Sequence, residues 1–131
     1  MNIKIVCLER RTPKEFFHIE EHYRKMISKH IKIEIIKQKD FNEGNLKGFF
    51  FVCLDENGKI IDSYAFSELL FSKENILFLI GGKQGIPKNL LEKADLTISL
   101  SKMTFSHQLA KIILLEQIYR GIAIKKGLPY V

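Results

Sequence analysis

Residues Leu79 to Pro87 read LIGGKQGIP and continue directly from the β-forming run ILFLI (Ile76–Ile80). Three glycines behind a strand let backbone N–H and C=O groups approach a ligand closely, because no Cβ stands in the way. The loop is neither G-x-G-x-x-G nor G-x-x-x-x-G-K-[ST], since Lys83 lies inside the glycine cluster. The pattern therefore predicts either a backbone-lined ligand loop or a tight turn that binds nothing.

The chain before this loop alternates strand-like and helical patterns. Asn2–Leu8 predicts a strand, and a helix is expected from about Pro13 to Ser28. Thr12 is predicted to be its N-cap, Pro13 its first residue and Glu15 its capping-box acid. Helical spacing predicts a buried face that consists of Phe16, Ile19, Tyr23, Met26 and Ile27.

A second strand, Ile31–Lys37, is separated by the polar segment Gln38–Gly48 from FFFVCLD, an apolar run typical of a sheet covered on both faces. ENGK then predicts a turn. The remaining predicted elements are a helix from Asp62 or Ser63 to Ser72, the strand Ile76–Ile80, a helix opened by Pro87, the strand Leu96–Leu100, the loop Ser101–Phe105, and a last helix from Ser106 to Lys126 that Gly127 stops. This alternation predicts an α/β fold with a mainly parallel sheet flanked by helices, in a single domain over residues 1–131.

Composition limits the class of protein. With 131 residues, of which 46% are hydrophobic, the chain suffices for one core, and no apolar run approaches the ~20 residues that cross a bilayer. The start, MNIKIVCLERR, places charges after the apolar run, the reverse of a secretory signal, so we expect a cytoplasmic protein. Cys7 and Cys53 lie in apolar runs and are expected to be reduced core residues.

The formal charge of +6 is concentrated near the end of the chain, where residues 101–131 contain five basic residues against Glu116 alone. Such a basic end suits a polyanion such as nucleic acid, although a solvated surface explains it equally well. The last helix is apolar over more than one stripe, from Leu109 to Ile124. One sheet cannot bury so wide a surface, which favours a second copy of the chain as partner.

Three segments, LDENG, IGGKQG and LSKMTF, follow predicted parallel strands and should converge at one edge of the sheet, where such folds bind ligands. His107 borders this edge and is a candidate for function or for a local bond at the helix start. Glu116 and Arg120 have the spacing of an ordinary helical ion pair. His18 and His22 are four residues apart but lack the Glu of H-E-x-x-H and a third ligand, so no metal site is predicted.

The chain end makes a resemblance visible. FLIGGKQGI, LTISLSKMTFSHQLAKIILLEQIYRGIAI and GLPYV closely resemble the ribosomal RNA large subunit methyltransferase H (RlmH) family of the SPOUT class. The match is detailed in the C-terminal half and extends to element order in the N-terminal half. It implies a deep trefoil knot in the C-terminal half, S-adenosyl-L-methionine as cofactor, a homodimer, and methylation of N3 of a pseudouridine in large-subunit (23S) rRNA of the assembled ribosome.

The resemblance also assigns residues. It implies that the cofactor is bound by Leu54, Gly81, Leu100, Ser101, Lys102, Met103, Thr104 and Phe105. Arg120 would position the substrate or stabilise its anion, with His107, Tyr119 and Tyr130 as neighbours. Phosphate contacts would come from Lys102, Lys111, Lys125 and Lys126.

Three departures from the family pattern bear on function. Relatives usually end in Tyr–His and a basic residue, where this chain has Tyr130–Val131, and the usual Pro before His107 is Ser106. The segment Gln38–Gly48 is shorter than in relatives and lacks their helix, which leaves its crossover topology open. The alternatives to an active enzyme are a catalytically impaired, knotted ribosome-binding or assembly factor, and a mononucleotide-binding module.

Overall fold

The computed structural model describes residues 1–130, so Val131 of the Tyr130–Val131 departure lies outside the described residues. Its centre is a five-stranded sheet in the order β2-β1-β4-β3-β5, and every neighbouring pair is parallel. The strands are β1 (Asn2–Cys7), β2 (Lys32–Lys37), β3 (Phe50–Ile60), β4 (Asn75–Ile80) and β5 (Leu96–Ser99). The predicted α/β class with a parallel sheet is confirmed.

Four α-helices accompany the sheet in the described part of the chain: α1 (Lys14–Ser28), α2 (Ser63–Phe71), α3 (Lys88–Lys93) and α4 (His107–Lys126). The boundaries of two of them agree with prediction. Asp62 Oδ1 accepts a hydrogen bond from Ala65 N at 2.8 Å and begins α2, and Ser106 caps α4. Gly127 ends α4 with a φ of 68°, a left-handed conformation that favours glycine.

Two apolar layers cover the sheet. On one face α1, α2 and α4 pack on β1, β3 and β4, around buried side chains such as Phe78, Leu70 and Leu114. On the other face Leu77, Leu79 and neighbouring strand residues pack under α3 and the segment 38–49. Because both faces are covered, β4 is apolar along almost its whole length and fully buried from Ile76 to Ile80.

The segment 38–49 resolves the crossover that the sequence left open. It joins the edge strand β2 to β3 past β1 and β4, with one 3₁₀ turn (Glu43–Leu46) in place of an α-helix. Lys4 Nζ donates to Asn45 O at 3.4 Å and lies 4.2 Å from the centroid of the Phe49 ring, while Phe41 stacks on Phe51. These contacts hold a short crossover against the sheet without a helix.

The start of α1 differs from prediction. The helix begins at Lys14 with Pro13 at the N-cap, and no side chain caps it, because Thr12 Oγ1 instead accepts a hydrogen bond from Lys111 Nζ at 2.9 Å. Its inward face also differs. Ile19 is 43% exposed, whereas the neighbouring Glu20 is buried beside two lysines. Helical spacing identified the apolar positions but could not identify a buried ion pair.

The predicted turn ENGK is wrong, because β3 continues through it to Ile60. Leu54 and Lys59 both pair with Ile98 of β5, so that Asp55–Gly58 form an excursion from the register. A Cβ on Gly58 would lie 2.6 Å from the backbone carbon of Ile98. Glycine is therefore required for the close approach of the two strands and not for a turn.

No helix within residues 1–130 is both long and apolar enough to cross a bilayer.

Candidate active site

A cavity of about 390 Å³ opens at the edge of the sheet where β4 and β5 end and β3 makes its excursion from the register. Its walls come from the excursion of β3, the glycine loop after β4, the loop after β5 and the first turn of α4. The position agrees with the rule that open α/β sheets bind ligands beyond the carboxyl ends of their strands. The three segments predicted to converge are brought together by the structure.

The glycine loop is folded so tightly that side chains are excluded at two positions. A Cβ on Gly81 would lie 2.5 Å from the backbone carbon of Gly85, and a Cβ on Gly82 would collide with the carbonyl oxygen of Leu8. Gly85 itself has a φ of 76°. At its glycine positions the loop presents only backbone to the cavity, and Gly82 is held against Leu8, the residue that follows β1.

The excursion of β3 adds two acidic residues to the cavity wall. Asp55 and Glu56 both line it, and Glu56 Oε2 accepts a hydrogen bond from Thr104 Oγ1 at 3.1 Å. This bond joins two of the three converging loops. The family resemblance assigns only Leu54 of the segment LDENG to the cofactor. An acidic pair directly after an apolar strand was the available signal for the other two residues.

Seven of the eight residues assigned to the cofactor line this cavity: Leu54, Gly81, Leu100, Ser101, Met103, Thr104 and Phe105. The eighth, Lys102, is exposed and is not part of the lining. Met103 is 75% exposed, which is unusual for a large apolar side chain beside a cavity. The placement brings the predicted set together, and its cofactor role remains a prediction.

His107 also lines the cavity, from the first turn of α4. Its Nε2 lies 3.9 Å from Glu9 Oε2, and the same carboxylate accepts a hydrogen bond from Gln108 Nε2. Glu9 is the second residue after the end of β1. One nearly buried carboxylate thus fastens the beginning of α4 to the loop after β1, immediately behind the cavity wall.

Lys111 completes this attachment, and its position contradicts the predicted contact of Lys111 with RNA phosphates. Its side chain has no solvent exposure, and its Nζ lies 2.8 Å from both Glu9 Oε1 and Glu20 Oε1. Burial by itself lowers the pKa of Lys111, but the carboxylates of Glu20 and Glu9 outweigh burial, so the pKa is raised and the ammonium stays charged. Lys111 therefore cannot contact RNA phosphates, and the basic end of the chain has one surface cation fewer than its sequence indicates.

Arg120 and Tyr130 form a separate cluster at the other end of α4. Arg120 Nη2 lies 2.7 Å from Glu116 Oε2, and Tyr130 Oη donates to the same oxygen at 2.9 Å. Arg120 lies thirteen positions after His107 on the helix, which corresponds to about 20 Å at 1.5 Å per residue. Within one chain the structure therefore does not bring Arg120 and Tyr130 to the cavity that His107 lines.

Within residues 1–130, no group of three or more His, Cys, Asp and Glu side chains is arranged to hold a metal ion. His18 and His22 are both exposed on α1. Cys7 and Cys53 are free and buried, in agreement with their predicted place in the core.

A family profile described as "Predicted SPOUT methyltransferase" matches residues 1–130. The chain belongs to the SPOUT methyltransferase family. The resemblance found in the sequence is thereby confirmed, and the SPOUT profile extends it over the N-terminal half, where only element order had matched.

Three relatives are each named "Ribosomal RNA large subunit methyltransferase H". The protein of Campylobacter concisus is 37% identical over 99% of both chains, and that of Caldicellulosiruptor saccharolyticus 36% over 98% of both. The protein of Christiangramia forsetii is 35% identical over 99% of this chain and 98% of its own. A probable methylase family protein of Haemophilus influenzae has a similar fold, with a TM-score of 0.67 at 10% identity over 95% of this chain and 68% of its own.

Proposed function

We propose that this SPOUT protein transfers a methyl group from S-adenosyl-L-methionine to N3 of a pseudouridine in 23S rRNA of the large subunit or assembled ribosome, as a cytoplasmic homodimer. The observation that carries the proposal is the cavity of about 390 Å³ built from three loops of a SPOUT chain. Relatives that match almost the whole chain are named for methylation of large-subunit rRNA. A deep trefoil knot in the C-terminal half is part of the proposal.

The cavity fits such a donor in size and lining. Its volume lies within the ~300–1,000 Å³ of small-molecule sites. Leu54, Leu100 and Phe105 offer apolar surface, while Gly81 and Gly82 leave backbone polar groups accessible. Asp55 and Glu56 place negative charge where a cationic ligand would be favoured. We assign the binding of the donor to these walls.

When bound, the donor supplies an electrophilic methyl group on a positively charged sulfur. The chain's own task is to hold the nucleobase in line with that group and to exclude water. The hydrogen bond between Glu56 and Thr104 draws two cavity loops together and serves this exclusion. His107 stands at the cavity wall, where it can contact the incoming base.

The second part of the task is the proton on N3 of pseudouridine, which must pass to solvent before or during transfer, while the donor departs as a neutral thioether. A guanidinium beside the base stabilises the anion that results. We assign this role to Arg120. Burial, together with hydrogen bonds to Tyr23 and Glu116, raises the pKa of Tyr130 well above its ordinary value. Tyr130 therefore stays protonated at neutral pH, and we assign it the role of hydrogen-bond donor and not of base.

Two copies are needed to bring these groups together. Arg120 lies about 20 Å from His107 along α4, so both can act on one nucleobase only if they come from different chains. When α4 pairs antiparallel with its copy, the N-terminal end of one helix lies beside the C-terminal end of the other. Leu109 and Ile124, near the two ends of α4, are 46% and 36% exposed and supply apolar surface for this pairing.

RNA binding is assigned to the exposed cations that remain after Lys111 is removed from the predicted set. Lys102 lies on the loop after β5, and Lys125 and Lys126 lie in the last turn of α4. All three are exposed. Contacts of this kind position RNA through its phosphates without reading its sequence.

Calorimetric titration followed by a transfer assay tests the proposal. S-adenosyl-L-methionine should bind and ATP should not, and Arg120→Ala should lose transfer to large-subunit rRNA while it retains donor binding. Binding of ATP or GTP without binding of the donor would instead indicate a mononucleotide module. Donor binding without turnover by the unmodified protein would indicate a ribosome-binding or assembly factor.

A further inference from the structure

Glu116 is the centre of the cluster at the C-terminal end of α4. Its Oε2 accepts hydrogen bonds from Arg120 Nη2 at 2.7 Å and from Tyr130 Oη at 2.9 Å. Its Oε1 accepts from Gln117 Nε2 at 2.9 Å and from Arg120 Nε at 3.5 Å. Both oxygens of one carboxylate are thus engaged, and three of the four donor groups belong to Arg120 and Tyr130, the side chains assigned to the substrate.

The arrangement goes beyond an ordinary helical ion pair, because the chain returns to it after α4 has ended. Tyr130 is fourteen residues from Glu116 and follows the helix stop at Gly127. Its ring centroid lies 4.9 Å from Arg120 Cζ and 4.8 Å from the centroid of the Tyr119 ring. The guanidinium of Arg120 is therefore held by a carboxylate and also by the face of an aromatic ring.

The environment keeps Glu116 ionised. Its burial by itself raises the pKa, but the hydrogen bonds from Arg120 and Tyr130 outweigh burial and hold the pKa below its usual value. Ion pairs near the surface contribute little to stability, and both side chains of this pair keep some solvent access, 28% for Arg120 and 22% for Glu116. What the carboxylate does supply is a fixed direction for a long side chain that otherwise samples many rotamers.

We propose that Glu116 is a positioning residue for methyl transfer, which holds Arg120 and Tyr130 in the single arrangement that receives the target nucleobase. This inference rests on the proposed function, in which Arg120 contacts the base. Glu116 does not itself touch the base. It acts through Arg120, so that its removal should reduce turnover and leave the binding of the donor unchanged.

The chain contains a matched control for this role. Glu21 and Arg24 on α1 form an ion pair of the same chemistry, with distances of 2.7 Å and 2.9 Å. The Glu21 side chain is 28% exposed, against 22% for Glu116. No aromatic ring of the described residues stacks on Arg24, whereas Tyr130 lies on Arg120. Glu21→Gln therefore removes an equivalent charge from an equivalent helical pair outside the cluster.

The experiment compares Glu116→Gln, Glu21→Gln, Arg120→Ala and the double variant of Glu116→Gln with Arg120→Ala. We expect Glu116→Gln to lower kcat roughly tenfold or more with an unchanged dissociation constant for S-adenosyl-L-methionine, because small misplacements of a reacting group are costly. Glu21→Gln should change kcat by less than about twofold. The double variant should be no slower than Arg120→Ala alone, because Glu116 acts only through Arg120.

A readout that needs no activity accompanies these rates. The Nε–Hε NMR signal of Arg120 should be resolved in the wild type and in Glu21→Gln, and lost to exchange in Glu116→Gln. If Glu116→Gln fails to fold, Glu116→Asp keeps the charge but shortens its reach and should show the same loss of kcat. Wild-type turnover in a folded variant, additive effects in the double variant, or an unchanged Arg120 signal would each overturn the role of Glu116. A wild-type protein that transfers no methyl group overturns the proposed function itself.

Discussion

Lys111 Nζ lies 2.8 Å from Glu9 Oε1, although the two residues are 102 positions apart and the lysine side chain has no contact with solvent. Glu20 from α1 and Thr12 complete the surroundings of the ammonium group. The pair joins the first turns of α4 to the loop after β1, directly behind His107 and the cavity. The buried ion pairs of Lys111 thus hold one wall of the candidate active site in place.

Replacement of Lys111 by Met should strongly destabilise the protein, because Glu9 and Glu20 then lose the cation that they share. We expect a loss of about 3–5 kcal/mol in the free energy of unfolding, the range for a broken buried pair. Denaturant titration measures it, with the exposed Lys125→Met on the same helix as control. Equal stability of the two variants would contradict the account of the network.

Gly82→Ala should damage both the fold and the cavity, since the new Cβ would meet the carbonyl oxygen of Leu8. We expect a loss of about 1–3 kcal/mol in stability, as is typical of overpacking. The affinity for S-adenosyl-L-methionine should fall at least about tenfold, which is equivalent to about 1.4 kcal/mol. Calorimetry measures the affinity, and Lys88→Ala, at the start of α3 and outside the cavity lining, is the control. Wild-type affinity in Gly82→Ala would show that the loop geometry does not shape the donor site.

Leu109→Lys should convert the proposed dimer to monomers, because it places a charge on the exposed apolar surface of α4. Sedimentation velocity at micromolar concentration measures the change. Ile19→Lys on α1 removes an apolar side chain of nearly equal exposure, 43% against 46%, and should leave the dimer intact. A wild-type protein that is monomeric, or a Leu109→Lys variant that still dimerises, would refute this interface.

The two cysteines should be unreactive in the native protein. Burial raises the pKa of the Cys7 thiol to about 12 and that of Cys53 also to about 12, so neither forms the reactive thiolate at pH 8. Iodoacetamide should therefore label both only after unfolding in urea. Rapid labelling of the native chain would contradict this placement.

Because the unfolded thiols ionise near pH 9, the burial of the two cysteines also predicts that the stability of the protein falls as pH rises from about 9 towards 12.

Local patterns accounted for most of the fold. Asp62, Ser106 and Gly127 were recognisable as helix boundaries because their hydrogen bonds and φ angles involve residues only a few positions away. The convergence of LDENG, IGGKQG and LSKMTF followed from the rule that parallel strands end at one edge. The sequence predicts a turn at Glu56 and Asn57, because the close passage of Gly58 against Ile98 depends on a strand that comes forty residues later.

The polar interior could not be predicted in the same way. Lysine is a residue type that normally lies at the surface, and only the pairing of Lys111 with Glu9 and Glu20 accounts for its burial. Distances between the candidate site residues could likewise not be predicted from the sequence. His107 and Arg120 belong to one helix, and it is the length of that helix that separates them into a cavity group and a distant cluster.

The central claim, methylation of a pseudouridine in large-subunit rRNA, is tested most directly by mass spectrometry of 23S rRNA from cells with and without the gene. We predict one methyl group on N3 of a pseudouridine that is present with the gene, lost without it, and restored in isolated ribosomes by the purified protein and S-adenosyl-L-methionine. Identical methylation of the rRNA in both strains would contradict the account.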